Sequence, residues 1–485
     1  MSNASQSTVI VGAGFAGLFT ALHLRHRQYG EPIFLMDPQE RFVFKPMLYE
    51  LLTGELPESV VCPQYETLLE HSRITFVQDR VTGIDLQQRQ LELASGQRQA
   101  FNHLVLTVGA SQGYLGTQGA EATAFAFRSR EQALALRQHL QDLLRQAQQT
   151  TDREHRRQLL TVAIVGAGPA GVEMAATLAD LLPSWYAKMG GDIRDIRLCL
   201  INHADSILAG DANARLKKEA LAALHQRMIP VELLLGIGVK AVYGDHLEYQ
   251  KKGETDIQSL PAHTTIWTAG TAVNPLIKEI ATQLRPENLD RHGQPLVTET
   301  LQLPDFDYVF AAGDCVTVQG QPQPALAQIA YQQGAVIAHN IQALSQGRPL
   351  KPAQPTLRGT LMKLGLGNGV ANLFDKVQIH GKVGDLLRNA TYLELLPTPL
   401  HNFKATTQWL EEETIHRYHR PQALSPQAVA ELRLSAADRR ALGWVKTLAV
   451  AAPIVFLVAV FLGLQTPSNE RQPFRPLPTP VAPTR

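Results

Sequence analysis

The sequence predicts an α/β protein built from two Rossmann-like dinucleotide-binding domains, the second inserted in the first, with a C-terminal membrane-anchoring region. Three observations predict this: a strand–glycine turn–helix pattern occurs twice, strand patterns of the first kind return after the second copy, and a long apolar segment lies near the C-terminus. The predicted parts are 1–112 with 271–345, 113–270, 346–432, an apolar helix at 445–465 and a disordered Pro-rich tail at 466–485.

The first pattern opens the chain. The strand Thr8–Val11 runs into Gly12-x-Gly14-x-x-Gly17, and a helical pattern follows. Gly12 permits a tight turn, Gly14 lets the backbone approach a pyrophosphate, and Gly17 lets helix and strand pack closely. The pyrophosphate is expected at the helix N-terminus, where free N–H groups and the helix dipole favour negative charge. Asp37 ends the next strand, where a carboxylate can bind an adenosine ribose hydroxyl.

The second pattern repeats this arrangement. The strand Leu160–Val165 leads into Gly166-x-Gly168-x-x-Gly171 and a second helix. An internal repeat of a dinucleotide-binding unit indicates two bound nucleotides rather than one.

The next strand, Arg197–Ile201, is followed by Asn202 instead of an acidic residue. A carboxylate there would repel the 2′-phosphate of NADPH, whereas an amide does not, so we expect that NADPH can be the second nucleotide. The alternative is that Asn202 only bonds a ribose hydroxyl and Asp205 sets a preference for NADH.

The strand Thr264–Gly270 ends the second unit in a glycine, and the chain then returns to the first unit through the strand Tyr308–Cys315 and the helix Ala325–Ala338. The region Ser129–Leu160 is predicted to be helical, and residues 346–432 have less regular patterning, with a turn at Gly365–Gly369 and a helix-like stretch at Phe403–Arg417.

Composition excludes several other classes of protein. The chain has 485 residues, which is too long for one core. Its residues are 45% hydrophobic and 18% charged, as in a globular protein. Its net charge of +1 argues against a nucleic-acid partner. Cys62, Cys199 and Cys315 form no C-x-x-C pair, and no metal-ligand cluster is evident, so no metal site is predicted. The N-terminus has no secretory signal, so the catalytic domains are expected to face the cytoplasm.

Together these motifs resemble the type II NAD(P)H:quinone dehydrogenases, two-domain flavoproteins of glutathione-reductase-like fold. Phe44–Gly54 resembles the family's F-x-P-L-L-Y segment, Trp267–Gly270 its W-T-A-G, and Gly313-Asp314 its G-D; Thr107–Gly109 departs mildly from its A-T-G. The resemblance implies FAD at the first glycine turn and NADPH or NADH at the second. The implied cofactor-binding residues are Gly12, Gly14, Gly17, Asp37, Lys45, Pro46, Thr107, Gly109, Gly166, Gly168, Gly171, Asn202, Gly270, Gly313, Asp314, Ala327 and Gln328.

The resemblance also implies catalytic residues. Glu173 corresponds to the Glu of the second fingerprint, and Gln328 and Gln332 lie in a segment like the family's A-Q-x-A-x-Q-Q. We expect Glu173 to position nicotinamide or relay protons, and Gln328, with Gln332 beside it, to orient a quinone headgroup. The alternatives are that Glu173 is an ordinary first-turn helix acid and that the two glutamines form a polar helix face.

The C-terminal portion resembles the cyanobacterial and plastid branch of the family, in which demethylphylloquinone, an intermediate of phylloquinone (vitamin K1) synthesis, is reduced. Leu448–Leu464 is almost continuously apolar, and as a helix it would be about 26 Å long, near the lower limit for spanning a bilayer. Trp444 and nearby basic residues suit an interfacial anchor; the alternative is a buried soluble helix. The expected location is a cyanobacterial thylakoid or plasma membrane, with a lipid bilayer and a membrane quinone as partners and a homodimer as a possible assembly.

Without a cysteine pair or a metal cluster, a diffusing quinone is the best electron acceptor for a reduced flavin. Two other functions remain open from the sequence: sulfide:quinone oxidation, which needs reactive cysteines near the flavin, and redox sensing without turnover.

Overall fold

A computed structural model describes residues 7–70, 72–210, 214–357, 359–373, 377–398, 401–402 and 406–407. The predicted apolar helix at 445–465 and the tail at 466–485 lie outside the described residues, as does most of Phe403–Arg417. Within the described part, no helix combines the length and the apolar character that crossing a bilayer requires.

The larger sheet has six strands, four from the first 106 residues and two from residues 302–311. Its spatial order is Gln302–Leu303, Phe306–Ala311, His103–Leu106, Thr8–Val11, Ile33–Asp37 and Ile74–Gln78. Only Gln302–Leu303 runs antiparallel to its neighbour, and the other pairs are parallel. Val9 and Ile10 in the central strand are fully buried, as expected for a parallel sheet covered on both faces.

A second parallel sheet has four strands, all from the middle of the chain. Its spatial order is Glu232–Leu235, Arg197–Asn202, Thr161–Val165 and Thr264–Trp267. All five residues of Thr161–Val165 are buried, so this strand also reads as a continuous apolar run.

Within the described residues, five small sheets contain the remaining strands. Three are antiparallel and three-stranded: Val81–Asp85, Gln90–Leu93 and Arg98–Ala100; Ile237–Val242, His246–Lys251 and Ile257–Pro261; Gly359–Lys363, Gly369–Leu373 and Val377–His380. Two are two-stranded: Ser111–Gln112 with Thr271–Ala272, and Leu296–Val297 with Thr317–Val318.

The α-helices of the described residues are Phe15–His26, Leu48–Thr53, Glu58–Val61, Tyr65–Leu69, Ala120–Thr123, Arg130–Gln149, Arg153–Leu159, Pro169–Lys188, Ala214–His225, Pro275–Ala281, Ala327–Ser345 and Gly381–Glu394. Single 3₁₀ turns lie at Lys45–Met47, Ile193–Asp195 and Pro286–Asn288.

The helical region predicted at Ser129–Leu160 is divided into two helices. Arg130–Gln149 begins with a capping box, in which Ser129 accepts the N–H of Gln132 while the Gln132 side chain accepts the Ser129 N–H. The second helix begins at Arg153 because the Asp152 carboxylate accepts the N–H of Glu154.

The part 346–432, whose sequence patterning is less regular, contains a three-stranded sheet within residues 359–380 and the helix Gly381–Glu394. The turn predicted at Gly365–Gly369 joins the first two strands. Glycines hid this unit from periodicity, because they bring helix and sheet into close contact without apolar side chains. A Cβ at Gly384 would lie 2.4 Å from the Gly369 carbonyl oxygen.

Candidate functional site: two glycine turns and a buried ion cluster

The first glycine turn has the geometry that a nucleotide cradle requires. Gly12 has φ +93°, and its N–H donates to the Met36 carbonyl at 2.8 Å. A Cβ at Gly17 would lie 1.9 Å from the Gly12 oxygen, so this position must be glycine for the helix to pack on the strand. A Cβ at Gly14 would meet no atom within 4 Å. The side of the turn at Gly14 is therefore open at the N-terminus of the helix Phe15–His26, where an anionic pyrophosphate is favoured.

The second glycine turn reproduces the first. Gly166 has φ +105°, and its N–H donates to the Ile201 carbonyl at 2.8 Å. A Cβ at Gly171 would lie 1.8 Å from the Gly166 oxygen, whereas one at Gly168 would meet nothing within 4 Å. The two turns thus share one tight side and one open side, and both fit a dinucleotide pyrophosphate.

The polar residues at the ends of the neighbouring strands are equivalent as well. The Asp37 carboxylate accepts the N–H of Ala13 at 2.8 Å, and the Asn202 amide oxygen accepts the N–H of Ala167 at 3.3 Å. Asn202 also donates from Nδ2 to the Ser206 carbonyl at 2.8 Å. Each residue therefore stands beside its own glycine turn, one as an anion and the other as a neutral amide.

A threonine closes each turn from the opposite strand. Thr107 Oγ1 donates to the carbonyls of Val11 and Gly12 at 3.0 and 2.7 Å. Thr268 Oγ1 does the same to Val165 and Gly166, both at 2.9 Å. The T-V-G segment that looked like a departure from the family pattern is thus the counterpart of Thr268-Ala269-Gly270. The repeated T-x-G was a signal in the sequence that could have identified Thr268.

The glycines that end these two segments have the same conformation. Gly109 has φ +64° and Gly270 has φ +74°, which other residues adopt with strain. Gly109 lies next to open space, whereas a Cβ at Gly270 would lie 3.1 Å from Leu115 Cδ2.

The Gly313-Asp314 turn is fixed by a residue that sequence reasoning missed. Gly313, with φ +78°, donates its N–H to Gln333 Oε1 at 2.8 Å, and Gln333 is 4% exposed. The Asp314 carbonyl accepts from Gln294 Nε2 at 2.9 Å. The exposed Lys45, at the start of the Lys45–Met47 turn, has Asp314 among its charged neighbours. The structure therefore places the predicted residues Lys45, Gly313 and Asp314 in one neighbourhood.

The predicted glutamines lie on the helix Ala327–Ser345, which starts at Ala327. Gln328 Nε2 donates to the Gly359 carbonyl at 3.0 Å. Gln332 bonds both backbone groups of Thr356: its Nε2 donates to the carbonyl at 3.0 Å and its Oε1 accepts the N–H at 3.0 Å. Both side chains thus connect this helix to the segment that leads into the C-terminal sheet.

Glu173 lies beyond the first turn of the helix Pro169–Lys188, so the alternative that it is a first-turn acid is wrong. Its Oε1 accepts the backbone N–H of Lys363 at 2.8 Å. Loss of solvation raises the pKa of Glu173 to about 7 despite the nearby Arg388. Close to neutral pH this carboxyl can therefore both hold and release a proton.

A buried ion cluster, formed by Glu50, Glu55, Lys363 and Arg388, lies beside Glu173. Lys363 Nζ lies 2.9 Å from Glu50 Oε1 and 2.6 Å from Glu55 Oε2, and Arg388 Nη1 lies 2.7 Å from Glu50 Oε1. Lys363 and Arg388 are 1% and 0% exposed. Burial alone would raise the pKa of Glu50, but the two cations hold it at about 2.

No local feature of the sequence indicates this cluster. Glu50 was visible as one acid among the buried apolar residues of Leu48–Thr53, but its partners follow more than 300 residues later. Asp385, which lies on the same helix as Arg388, is close to the ion cluster. Burial raises the pKa of Asp385 to about 6.

Comparison with known proteins defines the class. Residues 6–334 match the family described as Pyridine nucleotide-disulphide oxidoreductase, and the chain belongs to it. The chain is 32% identical over 421 residues to demethylphylloquinone reductase NdbB of Synechocystis sp., covering 84% of this chain and 97% of the relative. It is 31% identical over 377 residues to type II NADH:quinone oxidoreductase Ndh of Mycobacterium tuberculosis, covering 75% and 79%.

Within that class, the chain therefore belongs to the type II NAD(P)H:quinone oxidoreductases. A solved structure of NDH2 from Plasmodium falciparum in complex with NADH superposes with a TM-score of 0.77 at 17% identity, covering 86% of this chain and 99% of that one, which is a likeness of fold. Family membership confirms the predicted oxidoreductase class, the flavin and the nicotinamide nucleotide.

Proposed function

We propose that this chain oxidises NADPH or NADH and reduces a membrane quinone, a naphthoquinone or plastoquinone, without pumping protons. Demethylphylloquinone in phylloquinone synthesis is the proposed physiological substrate. The observation that carries the proposal is the presence of two equivalent glycine turns with a proton-holding carboxyl, Glu173, beside a buried ion cluster. The name of the Synechocystis relative supports the choice of quinone.

In this proposal the two sites have separate occupants. FAD is held at the first turn by Gly12, Gly14, Gly17 and Asp37, with Gly313-Asp314 and Lys45-Pro46 nearby, and the nicotinamide nucleotide is held at the second by Gly166, Gly168, Gly171 and Asn202. When bound, FAD would supply the hydride acceptor for the nicotinamide and the two-electron donor for the quinone. Asp37 offers a carboxylate to the ribose of FAD, whereas the neutral Asn202 tolerates the 2′-phosphate of NADPH.

The chain's own contribution to quinone reduction is protonation and orientation. Glu173 has a carboxyl that titrates near pH 7, so it can hold the proton that the reduced quinone needs. Gln328 and Gln332 line the junction with the C-terminal sheet and are proposed to orient the quinone headgroup.

The proposed domain division follows the sheets. Residues 1–112 and 271–345 form the FAD domain and 113–270 the inserted NAD(P)H domain. In support, the six-stranded sheet takes strands from 8–106 and 302–311, whereas the four-stranded sheet lies entirely between 161 and 267. Residues 346–432 are proposed to contact quinone, membrane or a second protomer, and residues 445–465 to anchor the protein in a cyanobacterial thylakoid or plasma membrane with its catalytic domains in the cytoplasm.

The thiols argue against sulfide oxidation. Cys62, Cys199 and Cys315 are buried, and burial raises the pKa of each to about 12, so they are poor nucleophiles at neutral pH.

The deciding experiment measures turnover of the purified protein with benzoquinones and naphthoquinones, each with NADPH and NADH. We expect the nucleotide to bleach the flavin absorbance and a naphthoquinone to restore it rapidly. Bleaching without restoration would favour a redox sensor, and a protein that binds no FAD would refute the proposal.

Deleting the residues after Lys446 should release the protein from membranes; continued binding would indicate attachment through 346–432.

A further inference from the structure

The helix Gly381–Glu394 carries an arginine that holds the segment proposed to lie beside the flavin. Arg388 Nη2 donates to the Pro46 carbonyl at 2.5 Å, and its Nη1 donates to Glu50 Oε1 at 2.7 Å. Pro46 lies within the 3₁₀ turn Lys45–Met47, and Glu50 lies in the first turn of the helix that follows it. One guanidinium therefore fixes both the turn and the helix to which it leads.

The chemistry of this contact is specific to arginine. A guanidinium presents several donors in a rigid plane, so it can serve a carbonyl and a carboxylate together, whereas an ammonium is a single compact charge. The plane of Arg388 is held in turn by Tyr392, whose ring centre lies 4.9 Å from Cζ. Tyr392 also packs against Phe44, the residue before the turn, with ring centres 5.9 Å apart.

We infer that Arg388 is a positioning residue for the flavin site. It sets the backbone of Lys45–Pro46 from the C-terminal unit, which is the three-stranded sheet within 359–380 together with the helix Gly381–Glu394, more than 300 residues away in sequence. This inference depends on the proposed function, because Lys45 and Pro46 are proposed flavin-binding residues. It gives the C-terminal unit a part in binding the cofactor, in addition to its proposed contacts with quinone and membrane.

The test is retention of FAD by the full-length holoenzyme. We expect Arg388→Ala to release FAD on ultrafiltration with an apparent Kd at least about tenfold higher than that of the wild type, since two charge-assisted hydrogen bonds are lost. Guanidinium at about 20 mM should restore FAD binding by occupying the space of the missing side chain, and an equal concentration of sodium chloride should not. Arg388→Lys is a milder change that keeps the charge. Its FAD affinity should lie between those of the wild type and Arg388→Ala.

The matched control is Arg227→Ala. Arg227 is another largely buried arginine, 12% exposed, and it pairs with Asp180 at 3.2 Å near the Gly365 turn. The Arg227→Ala variant should have a lower melting temperature than the wild type but the same FAD affinity. Equal FAD loss in both variants, or wild-type affinity in Arg388→Ala, would overturn the inference while the proposed function stands. A wild-type protein that binds no FAD would overturn both.

Discussion

Replacing Lys363 by Met tests whether the buried ion cluster stabilises the fold. The pKa of Glu50 is held at about 2 against an ordinary 4.5, which is a stabilisation of about 3 kcal/mol at pH 7. Lys363 is one of the two cations responsible, so its loss should remove roughly half of this, and Glu55 loses its partner as well. We expect Lys363→Met to lose about 2 kcal/mol of stability.

The stabilisation by Glu50 depends on pH, and the direction of this dependence follows from the lowered pKa of Glu50. Because the folded-state pKa of Glu50 is depressed, its stabilisation is present above pH 4.5 and is lost as the pH falls toward 2. Thermal unfolding should therefore show Lys363→Met melting at least about 3 °C below the wild type at pH 7, with the difference shrinking as the pH falls through 4.5.

The control is Lys252→Met, which removes an exposed ion pair, 3.6 Å from Asp205, with Lys252 67% exposed. It should change stability by less than about 0.5 kcal/mol. The double variant Lys363→Met with Glu50→Gln should recover part of the loss, because it restores the charge balance of the cluster, with one cation, Arg388, and one carboxylate, Glu55. Equal melting temperatures of Lys363→Met and the wild type at pH 7, or a difference independent of pH, would refute the reasoning.

Three further predictions concern the two nucleotide sites and the proton. Gly14→Ala should fold normally but bind FAD at least about tenfold more weakly, because its Cβ meets only open space on the pyrophosphate side. Gly17→Ala should fail to fold, because its Cβ would lie 1.9 Å from the Gly12 oxygen. Melting curves and flavin content distinguish the two variants. Asn202→Asp should lower kcat/KM for NADPH relative to NADH by at least about tenfold, with Asp205→Asn as control, and an unchanged ratio would contradict the role of Asn202. In the wild type, quinone turnover should fall as the pH rises through about 7, because Glu173 loses its proton. Turnover by Glu173→Gln should not show this fall. If the fall persists in that variant, the proton belongs to another group.

Most of the fold was predictable because its signals are local. The strand–turn–helix units depend on glycines at fixed spacing, and Gly12 and Gly166 occupy positive-φ positions for steric reasons that a short segment already contains. Asp37 and Asn202 were predictable for the same reason, since each follows a strand adjacent to its turn. The break before Arg153 was missed because residues 148–158 contain no apolar side chain, so apolar periodicity could not locate it; the Asp152 cap is the signal that marks it.

The ion cluster could not be predicted, because its charges become partners only through the fold. Glu50, Lys363 and Arg388 each stand in an apolar segment, where a single charge has no visible counterpart and its burial would be unfavourable. Once the helix Gly381–Glu394 packs beside the 3₁₀ turn Lys45–Met47, the same charges neutralise one another. The cluster therefore ties correct placement of the C-terminal unit to the segment proposed beside the flavin, because a displaced unit would take both Lys363 and Arg388 away from Glu50. This dependence resides in side chains that no single motif contains.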